Sequence, residues 1–287
     1  MSLFISQILI NGLLISFSYI LISLGLTLIF SIMRIVNFAH GEFFMLGGYA
    51  LFIFLELLHL PFITSLVLTI VALLIFGFFI EKLVFKPFRE DPLNSLVISL
   101  GLAMLLQNAI LLIFGGLEKS IQSPLALVGV FNIGGLYIPK ERLFIILLCL
   151  ILTFGLFVFL KLTKTGLSMR AVAQDKETAA LHGIAIDRIS SISFGIGCSL
   201  AAIAGGLIGM LFDLSPFMGA HPVMKAFIVV ILGGMGSLPG VVIAGMIIGF
   251  LESFIASFLQ TSFADLFSFL VLVVILILRP QGIMGRD

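Results

Sequence analysis

Six long stretches of this sequence contain no Asp, Glu, Lys or Arg. They are residues 1–33, 57–80, 93–117, 143–160, 189–212 and 226–251. About 20 apolar residues are enough for a helix to cross the hydrocarbon core of a bilayer, and several of the stretches reach that length. Charged residues make up only 10% of the chain, whereas a soluble domain is about a quarter charged. The sequence therefore predicts an integral membrane protein.

The apolar stretches predict helices rather than strands. A membrane β-barrel would show short strands in which apolar and polar residues alternate, and the run from Leu66 to Ile80 does not alternate. Because lipid offers the backbone no hydrogen-bonding partner, a helical bundle is then the remaining way to span the bilayer. We expect an all-α, polytopic transmembrane bundle that forms a single domain over residues 1–287. The expected spans are 5–32, 39–58, 62–81, 93–114, 143–160, 189–212, 225–258 and 263–278.

The segment 225–258 is too long for one span, and glycines break it at 233–240. Counted as one span it gives a total of eight, and counted as two crossings it gives nine; both counts stay open. Gly233, Gly234 and Gly236 either reverse the chain at a close-packed helix crossing or form unwound backbone that offers polar groups to a substrate. The break is not a phosphate-binding loop, because it lacks the Gly-Lys-Ser/Thr ending.

Basic residues are concentrated in three segments, which should face the cytoplasm. These are a connection with Lys82, Lys86 and Arg89, the segment 161–188, and the C-terminus with Arg279 and Arg286. The connection 115–142 and the N-terminus should then lie outside. We expect residues 5–32 to be a first span rather than a cleaved signal peptide. Nine crossings would bring the C-terminal arginines to the cytoplasm, whereas eight would not.

The longest polar stretch of the chain, 161–188, contains two pieces with helix-forming content. Asp175 can cap the second piece, and Gly183 suits the left-handed residue after its end. Small residues give these pieces a smooth exposed face that could seat in a groove of another protein; the alternative is an ordinary solvated loop. The small residues are Ala171, Ala173, Ala179 and Ala180.

Polar residues also gather at the edge of the second predicted span, where Asn37, His40 and Glu42 flank Gly41. An ionisable residue inside a membrane is costly, which makes these residues candidates for a transport pathway. The alternative is structural: Asn37 can cap the following helix, Glu42 suits its first turn, and Arg34 could pair with Glu42. His40 and Glu42 are two residues apart and should point to different faces, so we do not expect a metal site.

Four separated motifs, in the same order along the chain, resemble those of the branched-chain amino acid ABC transporter permease family. They are NFAHGE at 37–42 with MLGGY at 45–49, RAVAQD at 170–175 with AALHGI at 179–184, KAF at 225–227 with VILGGMGSLPG at 230–240, and RPQGIMGR at 279–286. The resemblance runs from about residue 8 to the C-terminus. The length of the chain is similar to that of the shorter of the family's two permeases.

The resemblance implies an importer permease in the inner (plasma) membrane of a bacterium or archaeon. It implies a heterodimer with a second, related permease, two ATPase subunits docked on the cytoplasmic side, and a periplasmic or lipid-anchored binding protein that delivers the substrate. The stretch 166–183 resembles the coupling loop that docks onto the ATPase. The docking residues are then Gly166, Arg170, Ala171, Asp175, Ala179, Ala180 and Gly183. The candidates for the substrate pathway are Asn37, His40, Gly41, Glu42, Gly233, Gly234 and Gly236, with a further possible role for Glu252.

We expect a permease subunit that moves a branched-chain or related amino acid inward by alternating access. Urea, amides or other amino acids are the alternative substrates; a stand-alone channel, a secondary carrier, or a membrane enzyme or scaffold are the alternative classes. The sequence contains no Walker motif, nucleophile–base pair or metal-ligand spacing, so we expect no enzymatic activity, no cofactor and no metal. A net charge of +1 points to no nucleic-acid partner, and lipid is the expected solvent.

Overall fold

The computed structural model describes residues 2–89, 91–124, 127–133 and 136–285. Its helices are α1 (Ser2–Met33), α2 (His40–Phe52), α3 (Phe62–Ile80), α4 (Pro92–Phe114), α5 (Lys140–Leu162), α6 (Lys164–Gln174), α7 (Lys176–Leu181), α8 (Ile186–Ile208), α9 (Ala220–Gly233), α10 (Leu238–Phe258) and α11 (Thr261–Leu278). Short π-helical segments, Ile53–Leu57 and Glu81–Phe85, extend α2 and α3. Strands β1 (Val130–Ile133) and β2 (Leu136–Pro139) form an antiparallel pair. Arg286 of the last motif lies outside the described residues.

Within the described ranges, seven helices are long and apolar enough to cross a membrane, and α9 and α11 are shorter apolar helices. The seven are α1, α2, α3, α4, α5, α8 and α10, with α2 and α3 counted together with their π-helical extensions. The prediction of an all-α polytopic bundle is confirmed. The long segment predicted to be broken forms two helices, α9 and α10, which are separated by residues 234–237.

Helices α1 and α8 form the centre of the bundle. In their most apolar windows, 78% and 83% of the residues are buried, compared with 22% in α4 and 28% in α5. Small residues allow this central packing: a Cβ atom added to Gly25 of α1 would lie 2.5 Å from the carbonyl oxygen of Gly197 in α8. Because lipid provides no hydrophobic drive between helices, such close backbone contacts are a main source of association.

The connections between helices collect at two ends of the bundle. At the first, which we call the basic end, the Ser31 hydroxyl donates to the Gly236 carbonyl (3.4 Å) and the Arg34 guanidinium donates to the Ala173 carbonyl (3.2 Å). Arg89 and Lys86, in the connection between α3 and α4, pair with Asp187 at the start of α8. The basic segments predicted to share one side of the membrane therefore meet at one end.

The opposite end, which we call the hairpin end, carries β1 and β2. Here the backbones of Lys119 and Leu214 exchange hydrogen bonds of 3.0 and 2.6 Å. The Glu56 carboxylate accepts from the Gln122 amide at 2.8 Å, which ties the end of α2 to the same region. The segments after α4 and after α8 consequently form one continuous surface.

Candidate functional site

Helix α2 begins deep inside the bundle rather than at its edge. The Nε2–H of His40, its first residue, donates to the Ile22 carbonyl of α1 at 3.0 Å. Helix α1 continues from Ile22 to its end at Met33, which is about 16 Å further along the helix axis. The non-helical residues 34–39 carry the chain from the basic end to this depth.

Helix α9 begins beside α2, at the same depth. A Cβ atom on Gly41 would collide with the Gly219 carbonyl oxygen, and a Cβ atom on Gly219 would collide with the Gly41 carbonyl oxygen. Two helices therefore start against each other inside the bundle, with their backbones in contact. Gly41, a predicted pathway residue, is the point of contact between them.

The polar residues predicted at the start of α2 are buried. Asn37 acts as a cap, because its Oδ1 accepts from the Ala39 amide at 3.0 Å. Among the described residues no partner lies within hydrogen-bonding distance of Asn37 Nδ2, His40 Nδ1 or Glu42 Oε2. A buried polar atom without a partner costs about 1–3 kcal/mol, so these three atoms are favourable contacts for water or a polar solute.

The alternative in which Arg34 pairs with Glu42 is not what the structure shows. The Arg34 guanidinium lies at the basic end, where it donates to the Ala173 carbonyl. Glu42 lies in the first turn of α2 and is 6% exposed. The non-helical residues 34–39 lie between them, and within the described residues neither a hydrogen bond nor an ion pair joins the two side chains.

A second group of polar side chains, which we call the ionic cluster, surrounds Lys225 of α9. The Lys225 ammonium lies 2.9 Å from Glu252 Oε2 of α10 and 2.8 Å from Asp265 Oδ1 of α11. It also donates to the Ser268 hydroxyl at 3.0 Å. The Tyr19 hydroxyl of α1 donates to Glu252 at 2.9 Å, and His221 Nε2 lies 3.1 Å from Asp265 Oδ1.

The ionic cluster lies within the apolar part of the bundle. Tyr19 is near the middle of α1, which ends at the basic end, and Glu252 is in the second half of α10, which starts there. Asp265 is in the first half of α11, whose last residues return to the basic end. At about 1.5 Å per residue these positions are about 20 Å from the basic end, inside a hydrocarbon core about 30 Å thick.

Sequence reasoning singled out Glu252 but gave no role to Lys225, its partner. Lys225 is the last charged residue before the charge-free stretch 226–251, and it falls within the predicted span 225–258. A charge placed inside a predicted span indicates a functional site by default. That signal was present, but it did not reveal that the partners of Lys225 come from two later helices.

The glycine break lies at the basic end and is covered by the C-terminal segment. The amides of Ile283 and Met284 donate to the carbonyls of Leu232 and Gly233, at 2.8 and 3.1 Å. Gly234 is buried at φ +98°, where an added Cβ would lie 2.5 Å from the Gly285 nitrogen. Gly236 is exposed at φ +94°. This geometry is that of a close-packed reversal, in which protein groups already bond the carbonyls at the end of α9.

The segment 161–188 is largely helical, as its sequence indicates. The Asp175 carboxylate accepts from the amides of Glu177 and Thr178 at 2.9 and 3.1 Å and so caps α7. The Thr178 hydroxyl also donates to it and lowers the pKa of this carboxyl below its ordinary value. Gly183 follows α7 at φ +79°. Both end signals predicted for the second piece are confirmed.

The exposed face of this segment differs from the predicted one. Ala179 is 3% exposed, so its assignment to that face is wrong: it packs into the hydrophobic core. Gly166 is also buried, and an added Cβ would lie 2.5 Å from Leu160 Cα. The exposed side instead includes a patch of apolar and basic side chains, next to the exposed carboxylates of Asp175 and Glu177. We call it the α6–α7 face, formed by Leu167, Arg170, Ala180 and Leu181, with Ala171 and Ala173 half-buried beside it.

A cavity of about 430 Å³ opens at the basic end beside the α6–α7 face. Three basic side chains border it, those of Arg34, Arg89 and Lys176. Gln174 and Val172 of α6 and the end of α1 complete its wall. In the described part of the chain, no group of three or more His, Cys, Asp or Glu side chains could hold a metal ion.

The apolar helices surround buried polar side chains, and a helical segment is exposed at the basic end. This arrangement is that of a polytopic membrane transport protein. The chain belongs to the family of permease components of branched-chain amino acid transport systems, whose model matches residues 8–277. The family resemblance indicated by the four motifs is thereby confirmed, and the chain is a multi-pass protein of the inner (plasma) membrane.

Curated relatives match nearly the whole chain. It is 35% identical to the high-affinity branched-chain amino acid transport system permease protein BraD of Pseudomonas aeruginosa, over 98% of this chain and 95% of that protein. It is 32% identical to LivH of Escherichia coli, over 99% and 96%. A probable LivH of the archaeon Methanocaldococcus jannaschii is 28% identical, over 93% and 89%. No solved structure matches the chain. The relatives are transport components and not enzymes.

Proposed function

We propose that this chain is the membrane subunit of an ATP-binding cassette importer that moves branched-chain amino acids into the cell by alternating access. The observation that carries the proposal is the family match along residues 8–277. Two structural features agree with it: the buried polar side chains at the start of α2, and the exposed α6–α7 face at the basic end. Energy comes from separate ATPase subunits and substrate from a binding protein outside the cell.

The α6–α7 face is the docking surface for an ATPase subunit in this proposal. Leu181 is 88% exposed and Leu167 is 60% exposed, although both belong to short polar helices at the basic end. Large apolar side chains that remain exposed on such a segment mark a contact with another protein. The neighbouring cavity, bordered by Arg34, Arg89 and Lys176, would receive acidic side chains of that partner.

A partner permease and the binding protein complete the proposed assembly. The hairpin end, where Lys119 and Leu214 join two connections, would receive the binding protein. The second permease would pack beside the bundle and make a heterodimer, so that substrate passes between the two subunits. The passage would include the polar atoms of Asn37, His40 and Glu42, which lack partners among the described residues.

The docking proposal is tested by placing a charge at the tip of the α6–α7 face. The Leu181→Glu variant, co-expressed with its ATPases, second permease and binding protein, should lose most ATPase association and most uptake of labelled leucine. A buried apolar contact of this size contributes about 1.5–3 kcal/mol, so association should fall at least tenfold. Pull-down of the ATPase and uptake by membrane vesicles measure the two effects.

A matched control is Leu117→Glu, the same change at a leucine that is 78% exposed at the hairpin end. It should leave ATPase association unchanged. Normal association of the Leu181→Glu variant would refute the docking surface. ATP-independent uptake by this chain alone would support a stand-alone carrier, and uptake of urea or amides in place of leucine would change the substrate class.

A further inference from the structure

With His221 counted as neutral, the ionic cluster carries one negative charge too many, because Glu252 and Asp265 are balanced by Lys225 alone. The three N–H groups of the Lys225 ammonium are directed to Glu252, Asp265 and Ser268, all within 3.0 Å. Two carboxylates thus share one ammonium. A net negative charge in the hydrocarbon core is strongly unfavourable unless a further positive group balances it.

The cluster is closed on one side and open on the other. The side chains of Lys225 and Glu252 are 3% and 12% exposed. Those of His221 and Asp265 are 57% and 47% exposed. At this depth in the membrane, a charged side chain does not face lipid. The edge formed by His221 and Asp265 therefore faces either a water-filled passage or another protein surface.

Asp265 retains the capacity to bind a cation at this open edge. Its Oδ1 is engaged by Lys225 and His221, while the described residues offer no hydrogen bond to its Oδ2. A carboxylate with a free oxygen accepts readily from an ammonium group, and the charge would strengthen that bond. The chemistry that fits is a primary ammonium that arrives through the passage.

We propose that Asp265, with His221 beside it, receives the α-ammonium group of the amino acid during its passage through the membrane. This inference rests on the proposed import function and adds a contact site to it. Because Lys225 already shares Asp265, the site would hold the ammonium weakly. Weak binding suits a passage, which must release what it binds.

The first test uses the assembled transporter, with its ATPases, second permease and binding protein, in proteoliposomes. We expect Asp265→Asn to lower the maximal rate of labelled leucine uptake at least tenfold, with little change in KM, because the binding protein sets the affinity. Asp265→Glu, which keeps the charge, should recover a large part of the rate. Co-purification of the other subunits checks that each variant assembles.

Two matched double variants distinguish a cation-binding role of the cluster from a purely structural salt bridge. Lys225→Met with Glu252→Gln removes one base and one acid and leaves the Asp265 carboxylate. Lys225→Met with Asp265→Asn removes the same charges and leaves Glu252. If Asp265 contacts the substrate, the first double variant should import leucine about tenfold faster than the second. If the cluster only holds helices together, the two double variants should be equally impaired.

Three results would overturn the inference. Equal rates for the two double variants would show that the open carboxylate has no special role. Loss of the second permease from the purified Asp265→Asn complex would show that this edge is a subunit interface. Unchanged uptake by Asp265→Asn would refute the site while leaving the import function intact, whereas a wild-type complex that imports no amino acid would refute the import function and the site's ligand together.

Discussion

Single glycines set the distances between the central helices. Gly205 of α8 faces the Phe44 carbonyl of α2, and Gly47 of α2 faces Ala202 of α8; in each case an added Cβ would lie far inside van der Waals contact with the backbone opposite. Such contacts leave room for no side chain at all. The abundance of glycine, 29 residues, indicates this kind of packing from the sequence.

Replacement of Gly205 by alanine should destabilise the protein. The new methyl group would force α2 and α8 apart, and overpacking of this kind costs about 1–3 kcal/mol. The matched control is Gly101→Ala in α4, where nothing lies within 4 Å of an added Cβ. Thermal unfolding in detergent should show a clear drop in Tm for the first variant and little change for the second. Equal Tm values would contradict the packing described for α2 and α8.

Contacts between residues far apart in the chain limit what sequence could reveal about individual side chains. The caps Asp175 and Gly183 were predictable because they bond to their own helix. The burial of Ala179 was not, because the sequence of so short a helix does not show which side meets the core. The ionic cluster joins Lys225 to Glu252 and Asp265, which belong to two later helices, and no local pattern in the sequence links the three.

At the scale of elements, α2 and α9 are the unusual helices. Each starts inside the bundle after a non-helical segment, residues 34–39 from the basic end and 209–219 from the hairpin end. They meet through Gly41 and Gly219. Transporters commonly place polar sites where interrupted helices begin near the middle of the membrane. The start of α2 falls within the family motif at 37–42, but hydropathy alone could not show that α2 begins at depth.

Helix α7 depends on its cap, in which the Asp175 side chain accepts from two backbone amides. Asp175→Ala should increase hydrogen exchange at the amides of Glu177 and Thr178 and reduce ATPase association, because α7 then frays. Asp175→Asn should largely preserve both, since asparagine is also a good cap. The folded-state pKa of Asp175 is lowered, so its stabilising effect is present above the unfolded value of about 3.9 and is lost only as the pH falls through the lower folded-state pKa.

Between about pH 6 and pH 8 the carboxylate stays ionised, because this range is far above the pKa of an aspartate. The hydrogen-exchange rates of the α7 amides should therefore stay constant there, once they are corrected for the intrinsic dependence of exchange on pH. Mass spectrometry after exchange measures this in the assembled complex. Equal protection of α7 in the Asp175→Ala and wild-type proteins would mean that partner contacts, not the cap, hold the helix.

On the scale of the whole molecule, the two ends differ in the number of basic residues that they carry. Of the 15 Lys and Arg residues, Lys119, Lys140 and Arg142 belong to the segment at the hairpin end, and Lys225 is buried in the bundle. The other described basic residues lie in segments that meet at the basic end. The long helix α1 reaches the basic end at Met33, and the C-terminal segment bonds to Leu232 there. The first and last described residues thus lie at opposite ends of the bundle, which agrees with a count of nine crossings and not with eight.

The distribution of charge predicts the orientation of the protein, because positively charged connections stay in the cytoplasm. In intact cells, a membrane-impermeant thiol reagent should label Leu117→Cys, at the hairpin end, and should fail to label Leu181→Cys, at the basic end. Both leucines are largely exposed, at 78% and 88%. In cells that express the chain without its proposed docking partners, access to the reagent therefore depends on the side of the membrane.

The wild-type chain provides the background for this experiment. Cys149 and Cys198 are both 0% exposed and should not react. Permeabilised cells should label both variants, which shows that each cysteine is reactive. Labelling of Leu181→Cys alone in intact cells would reverse the orientation, and it would place the α6–α7 face outside, where no ATP is available and no ATPase subunit could dock. The direction of import and the identity of both docking surfaces therefore depend on this one measurement.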